Sequence, residues 1–242
     1  MSVLLEIIAL NAADCQAAAE GGAERIELCA AMALGGLTPS FGVAESSQNA
    51  GLPIMAMVRP RSGGFCYTDS EFESMLLDVH RFRDLGLAGV VFGVLTPNGE
   101  IDLDRNARLI EAAGTLETVC HRAFDRTPDA PSALESLIKL GFTRVLTSGQ
   151  QASASEGAPL IAELVRQAAG RIEILPGAGI RPHNVAALVA ETGVAQIHAT
   201  AFEVQIDTSG PSAGVKFNAS SGSEREYTVV SAQAVRELKA AI

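Results

Sequence analysis

Short runs rich in Val, Ile and Leu alternate with alanine-rich stretches of helical periodicity from one end of the chain to the other. This alternation constrains the fold more than any other feature. The strand-like runs are Val3–Ala9, Glu24–Cys29, Pro53–Arg59, Gly89–Val94, Leu116–Arg122, Arg144–Thr147, Arg171–Leu175 and Ala195–Ala199. Helical patterns lie between them at Asn11–Gly21, Ser40–Asn49, Glu71–Leu85, Leu103–Ala113, Pro131–Leu140, Ala158–Ala169 and Pro182–Glu191, and the last runs from Ser231 to Ala241. Strands that alternate with helices make βαβ units, which form a parallel sheet covered by helices. Eight such pairs in 242 residues predict an α/β fold, a single-domain (β/α)8 TIM barrel spanning 1–242, the size range in which that barrel occurs. An open doubly wound sheet is the alternative, but it usually carries a glycine fingerprint after its first strand. Here that turn reads Leu10-Asn11-Ala12-Ala13.

One segment breaks the rhythm, a Ser/Gly-rich stretch near 202–223 that reads as a long loop. A loop of about 20 residues in a compact domain marks function, a contact between copies, or disorder. Composition narrows the partners. A net charge of −10 with no basic patch argues against nucleic acid and against an anionic membrane surface. The chain has no apolar run of about 18 residues to span a bilayer. Its opening, Met1-Ser2-Val3-Leu4-Leu5-Glu6, lacks the basic start of a secretion signal. Cys15, Cys29, Cys66 and Cys120 show no CxxC spacing, as expected of a reducing cytoplasm.

In a barrel, chemistry gathers where the strands end. Alternate residues of a strand face opposite sides, so Arg25, Glu27 and Cys29 share one face of strand two, and Gln196 and His198 share one face of strand eight. Glu6, Glu27, Arg59, His121 and His198 are thereby expected to converge on one pocket of acids, bases and cations. Arg59 and Arg61 read as a bidentate clamp for an anion, and His121 or Glu27 as a general acid or base. Ser148-Gly149 and Gly177-Ala178-Gly179 read as loops whose amides bind phosphate. Cys15 reads as core, and Cys120 should pack beneath the helices if His121 points inward. Cys29 and Cys66, near adjacent strand ends, offer two thiolates to a soft ion such as Cu(I).

Several stretches carry a family resemblance: Gly22-Ala23-Glu24-Arg25-Ile26-Glu27-Leu28-Cys29-Ala30, Gly35-Gly36-Leu37-Thr38-Pro39-Ser40, Arg59-Pro60-Arg61, Phe65-Cys66-Tyr67-Thr68-Asp69, His121-Arg122-Ala123-Phe124-Asp125 and Arg144-Val145-Leu146-Thr147-Ser148-Gly149-Gln150. Together they resemble the copper homeostasis protein CutC family, from Leu4 to the last helix. The resemblance implies a (β/α)8 barrel, a cytoplasmic location, copper binding and a homodimer or higher homo-oligomer. It also gives Cys29 and Cys66 a copper role and marks Glu6, Glu27, Arg59, Arg61, His121, Arg122, Asp125 and Ser148 as recurrent polar positions. Two departures stand out: Ser62-Gly63-Gly64 lacks the acid usual after Arg-Pro-Arg, and Gln151 stands where a lysine is common. The sequence therefore supports two expectations, a copper homeostasis protein that binds copper(I), or a barrel enzyme acting on a small anionic or phosphorylated substrate by acid–base chemistry.

Overall fold

The computed structural model describes residues 3–209 and 225–242. Eight strands line the barrel: β1 (Leu4–Ala9), β2 (Arg25–Leu28), β3 (Ile54–Met57), β4 (Gly89–Phe92), β5 (Glu117–Cys120), β6 (Arg144–Thr147), β7 (Glu173–Pro176) and β8 (Gln196–Ala199). Seven helices alternate with them: α1 (Ala12–Gly21), α2 (Phe41–Ser47), α3 (Asp69–Asp84), α4 (Leu103–Ala113), α5 (Ala130–Leu140), α6 (Ala158–Ala168) and α7 (Val185–Thr192), and α8 (Ala232–Ala240) ends the set. The strands run in the order β7-β6-β5-β4-β3-β2-β1-β8, and every paired neighbour is parallel. This is the predicted (β/α)8 barrel, nearly closed, with a ladder on every side except between β7 and β8.

The alternation of side chains along the strands makes two cores. Outward residues such as Leu5, Ile7, Ile26, Leu28 and Cys120 pack with the helices, and Cys15 joins them there, both cysteines as expected. Inward residues Ile8, Cys29, Met55, Met57, Val91, Val119, Leu146 and Leu175 form a smaller core inside the ring. Helix starts follow side-chain capping: Asn11 accepts from the Asp14 amide at α1, and Thr68 with Glu71 makes a reciprocal capping box at α3.

The stretch from Phe202 corrects the expectation of a loop. Phe202–Ile206 (β9) pairs antiparallel with Glu226–Val230 (β10). Both carry the alternating β-branched and aromatic residues of a ribbon, which the surrounding Ser and Gly obscured. The rest of the expected loop, 210–223, lies outside the described residues.

The first and last helices pack on each other outside the β1–β8 pair. A methyl group placed on Gly21 would lie 2.4 Å from the Val235 Cβ and 2.9 Å from the Ala232 carbonyl, so α8 approaches α1 this closely at residue 21 because that residue has no side chain. Gly21→Ala should destabilise the fold by about 1–3 kcal/mol through overpacking. Urea unfolding checks this, and adding Val235→Ala should recover part of the loss.

Candidate functional site

The site begins with the register of the first strand. Glu6 in β1 lies level with Arg25 in β2 and with His198 in β8, and all three side chains face the barrel interior. A buried carboxylate is costly unless paired. Glu6 has two partners: Arg25 Nε donates to one oxygen, and His198 Nδ1 lies 2.7 Å from the other. The chain of contacts continues away from the mouth. Arg25 donates to Gln196 (2.6 Å), Gln196 to Glu173 (3.0 Å), and Arg144 bridges Glu173 (2.7 Å) and Glu117 (3.1 Å).

Above this layer, at the C-terminal ends of the strands, lies a cavity of about 200 Å³. Its wall includes Glu27, Arg59, His121, Arg122, Gly179 and His198, together with Met32, Met57, Phe65, Ala178, Ile180, Arg181 and Thr200. Two glycines make room for the two histidines. A Cβ on Gly93 would lie 2.9 Å from His121 Nδ1, and one on Gly177 would lie 3.0 Å from His198 Cδ2.

Burial and charge set these groups apart. Burial raises the Glu6 pKa, but the hydrogen bond and charge of His198, with Arg25, outweigh it and bring it to about 2. Glu27 has no comparable hydrogen bond. Burial, reinforced by the Glu6 carboxylate and opposed by His198, pushes its pKa up to about 7. For His198 burial favours the neutral ring, yet the Glu27 and Glu6 carboxylates together raise its pKa. His121 goes the other way: burial and then the Arg59 charge lower it to about 3. Its Nδ1 accepts from the Ala123 amide (3.2 Å), so the neutral ring carries its proton on Nε2, which has no partner.

Several expected roles need correction. Glu6 sits beneath the cavity and orients His198 rather than lining the wall. Arg59 and Arg61 are not an anion clamp. The terminal nitrogens of Arg59 donate to the carbonyls of Leu34, Gly36 and Gly63 (2.9–3.0 Å). Arg61 is held by Glu71 at 2.5 Å and by the carbonyls of Ser62, Gly64 and Cys66. Asp125 is a scaffold: its oxygens accept from Arg122, Thr147, Ser148 and the Gln150 amide. The Ser148, Gly149 and Gly177 amides donate to Asp125, Thr147 Oγ1 and the Thr147 carbonyl, and none is open to an anion. Gly179 alone keeps the expected place. The amides of Ala178, Gly179 and Ile180 donate no hydrogen bond among the described residues. Successive free amides of this kind form an anion-binding concavity. Arg181 and Thr200, beside them on the wall, were missed because their strand-end positions carry no motif.

The model of the CutC family matches residues 3–203. The chain belongs to the CutC family. A CutC protein of Parabacteroides distasonis is 49% identical over 203 residues, which cover 83% of this chain and 84% of that protein. One from Chromobacterium violaceum is 43% identical over 244 residues, covering 100% of this chain and 99% of that protein. The crystal structure of CutC from Streptococcus agalactiae superposes with a TM-score of 0.78 at 36% identity, over 81% of this chain and 98% of that one.

The cysteines of this CutC chain do not form the expected pair. Cys29 is buried inside the barrel, where burial and then the Glu27 charge push its thiol pKa up. Cys66 is exposed and lines a separate, outer cleft. The sulfur beside Cys29 is instead Met32 Sδ, at 3.9 Å. Among the described residues the one cluster of three candidate metal ligands is Glu6, Glu27 and His198, within 4.8 Å of one another. The Arg25 guanidinium and the ring of His198 already occupy both Glu6 oxygens, so this cluster fits a proton network better than a cation. No helix of the described residues is long and apolar enough to cross a membrane.

Glu6→Gln leaves Arg25 and His198 facing an uncharged amide, and breaking a buried pair in this way costs roughly 3–5 kcal/mol. Because Glu6 titrates near 2 when folded against 4.5 in its ordinary state, its contribution is present above pH 4.5 and lost as pH falls toward 2. Denaturation of wild type and variant at several pH values should show their difference shrinking over that window.

Proposed function

We propose that this CutC-family barrel is an enzyme that performs acid–base chemistry on a small anionic substrate. The observation that supports this reading best is the pairing of Glu27 and His121 on one cavity. The carboxyl is raised to about 7 and the imidazole is held neutral at about 3, the divergence of environments that separates a base from an electrophile. Glu27 takes a proton from the substrate, His198 stabilises the carboxylate before transfer, and the neutral His121 offers its Nε2 proton to an oxygen on which charge develops. The free amides of Ala178, Gly179 and Ile180, with Arg181, take an anionic group such as phosphate. On this reading the protein works in the cytoplasm as a homodimer or higher homo-oligomer, and light scattering on the purified protein measures the assembly.

The test is proton exchange. A panel of small phosphorylated and carboxylated carbonyl compounds is incubated with the protein in D2O and followed by NMR. At least one compound should gain deuterium at a carbon beside its carbonyl, with a rate that rises as Glu27 deprotonates through pH 7. Glu27→Gln should reduce that rate roughly 10²–10⁴-fold. Exchange unchanged in Glu27→Gln would refute the assignment.

A second reading, copper homeostasis, rests on the family and on one observation of this chain. Cys29 Sγ and Met32 Sδ, 3.9 Å apart, are soft donors of the kind that select Cu(I). Binding there requires the ion to displace the Cys29 proton, which burial favours keeping. Titration of the reduced protein with Cu(I) should then give about one equivalent, the complement of a single site. That equivalent should persist in Cys66→Ser and disappear in Cys29→Ser; its survival in Cys29→Ser would remove the reading.

A further inference from the structure

We infer that the cleft outside the barrel mouth is a second subsite that binds an oxyanion, with Arg122 and Arg126 as its ligands. It would take a carboxylate or phosphate on a molecule whose reacting end lies in the inner cavity. The inference rests on the acid–base reading above and narrows its substrate class to compounds charged at both ends.

The cleft has a volume of about 760 Å³ and is walled by the loops that follow β2, β3, β4 and β5. Gly35, Arg59, Phe65 and Arg122 line both this cleft and the inner cavity, so the two spaces share one wall. Phe65 is the main partition, with its ring 4.8 Å from the His121 ring and 5.3 Å from the Arg59 guanidinium.

The charge of the cleft is opposite to that of the chain. The protein has 28 acidic against 18 basic residues, yet Arg59, Arg61, Arg122 and Arg126 line this concave surface with Asp125 as its one acid. The oxygens of Asp125 are taken by its own hydrogen bonds. Arg61 is committed to carbonyls and to Glu71, and Arg59 gives its terminal nitrogens to carbonyls while its Nε is buried away from the cleft. The remaining two arginines are not so committed. Arg122 donates Nε to Asp125 and Nη2 to Ser148 at 2.8 and 2.7 Å, leaving Nη1 open. The Arg126 guanidinium has no hydrogen bond or ion pair among the described residues. Planar guanidinium forks suit the geometry of carboxylate and phosphate, and a concave wall concentrates their field on an incoming anion.

Cys66 lines the same cleft and is the one exposed cysteine of the four, so it reports on the cleft in the native protein. Its alkylation by iodoacetate, which is anionic, is compared with that by neutral iodoacetamide, with the modified peptide identified by mass spectrometry. The iodoacetate-to-iodoacetamide rate ratio should fall roughly two- to fivefold in Arg126→Gln, the effect of one nearby screened charge. In the wild type, malonate or inorganic phosphate should slow alkylation saturably and beyond sodium chloride of equal ionic strength. Whichever anion protects at the lower concentration identifies the group the cleft takes. An unchanged ratio in Arg126→Gln, or protection matched by chloride, would overturn the inference. Glu27→Gln should lose deuterium exchange while keeping anion protection, so a failure of the subsite is distinguishable from a failure of the inner chemistry.

Discussion

Glu6 is the group on which the rest of the site depends. Its carboxylate is held inside a ring of strands, out of reach of water, between the guanidinium of Arg25 and the imidazole of His198. Both partners arrive at its level because parallel pairing sets β2 and β8 in register with β1. From there hydrogen bonds run through the neutral Gln196 to Glu173, Arg144 and Glu117. Apolar packing would stabilise the lower barrel at least as well as such a ladder. The ladder is better explained by its effect at the top, where it holds His198 in place beside Glu27 and raises its pKa.

The two histidines then diverge for one electrostatic reason. Burial favours the neutral ring in both, but the Glu27 and Glu6 carboxylates raise the pKa of His198, whereas at His121 the Arg59 charge adds to burial and lowers it to about 3. Glu27 sits between these environments without a hydrogen bond strong enough to offset its burial, and so titrates near neutrality. A cavity that holds a neutral donor and a carboxyl titrating near 7 is suited to moving a proton. A cavity built to hold a cation would place its carboxylates where nothing cationic already occupied them.

The legible part of this architecture was the part governed by periodicity. Strand alternation placed Arg25, Glu27 and Cys29 on one face of β2 and put Cys120 behind His121, and the structure has them there. Hydrogen bonds closed within loops were not legible. Asp125 and Arg59 look like catalytic groups by type, but each is consumed by local donors and carbonyls that periodicity does not reveal. Gly177 was expected to bind phosphate; its missing Cβ instead makes space for His198. Gly93 does the same for His121 and carried no signal, since a glycine in a strand looks alike whether it bends the chain or accommodates a ring. The β9–β10 ribbon was hidden by its surroundings, because a run of Ser and Gly lowers the apparent strand propensity of the residues beside it.

The arginines show how one residue type is divided between building and binding. Arg59 and Arg61 use their donors on backbone carbonyls of the loops after β2 and β3, where three or more charge-assisted bonds apiece fix those loops against the barrel mouth. That fixing positions Phe65 between the inner cavity and the outer cleft. Positive charge is therefore built into a wall that an acidic chain would otherwise leave negative, and charge committed to the wall still contributes to its potential. An anion approaching the mouth meets a field set by all four guanidiniums, but the two on the loop after β5 are exposed with donors open to hold it, whereas the unpartnered Nε of Arg59 is buried. Steering and binding are thus carried by different arginines, and removing a scaffold arginine would loosen Phe65 as well as weaken the field.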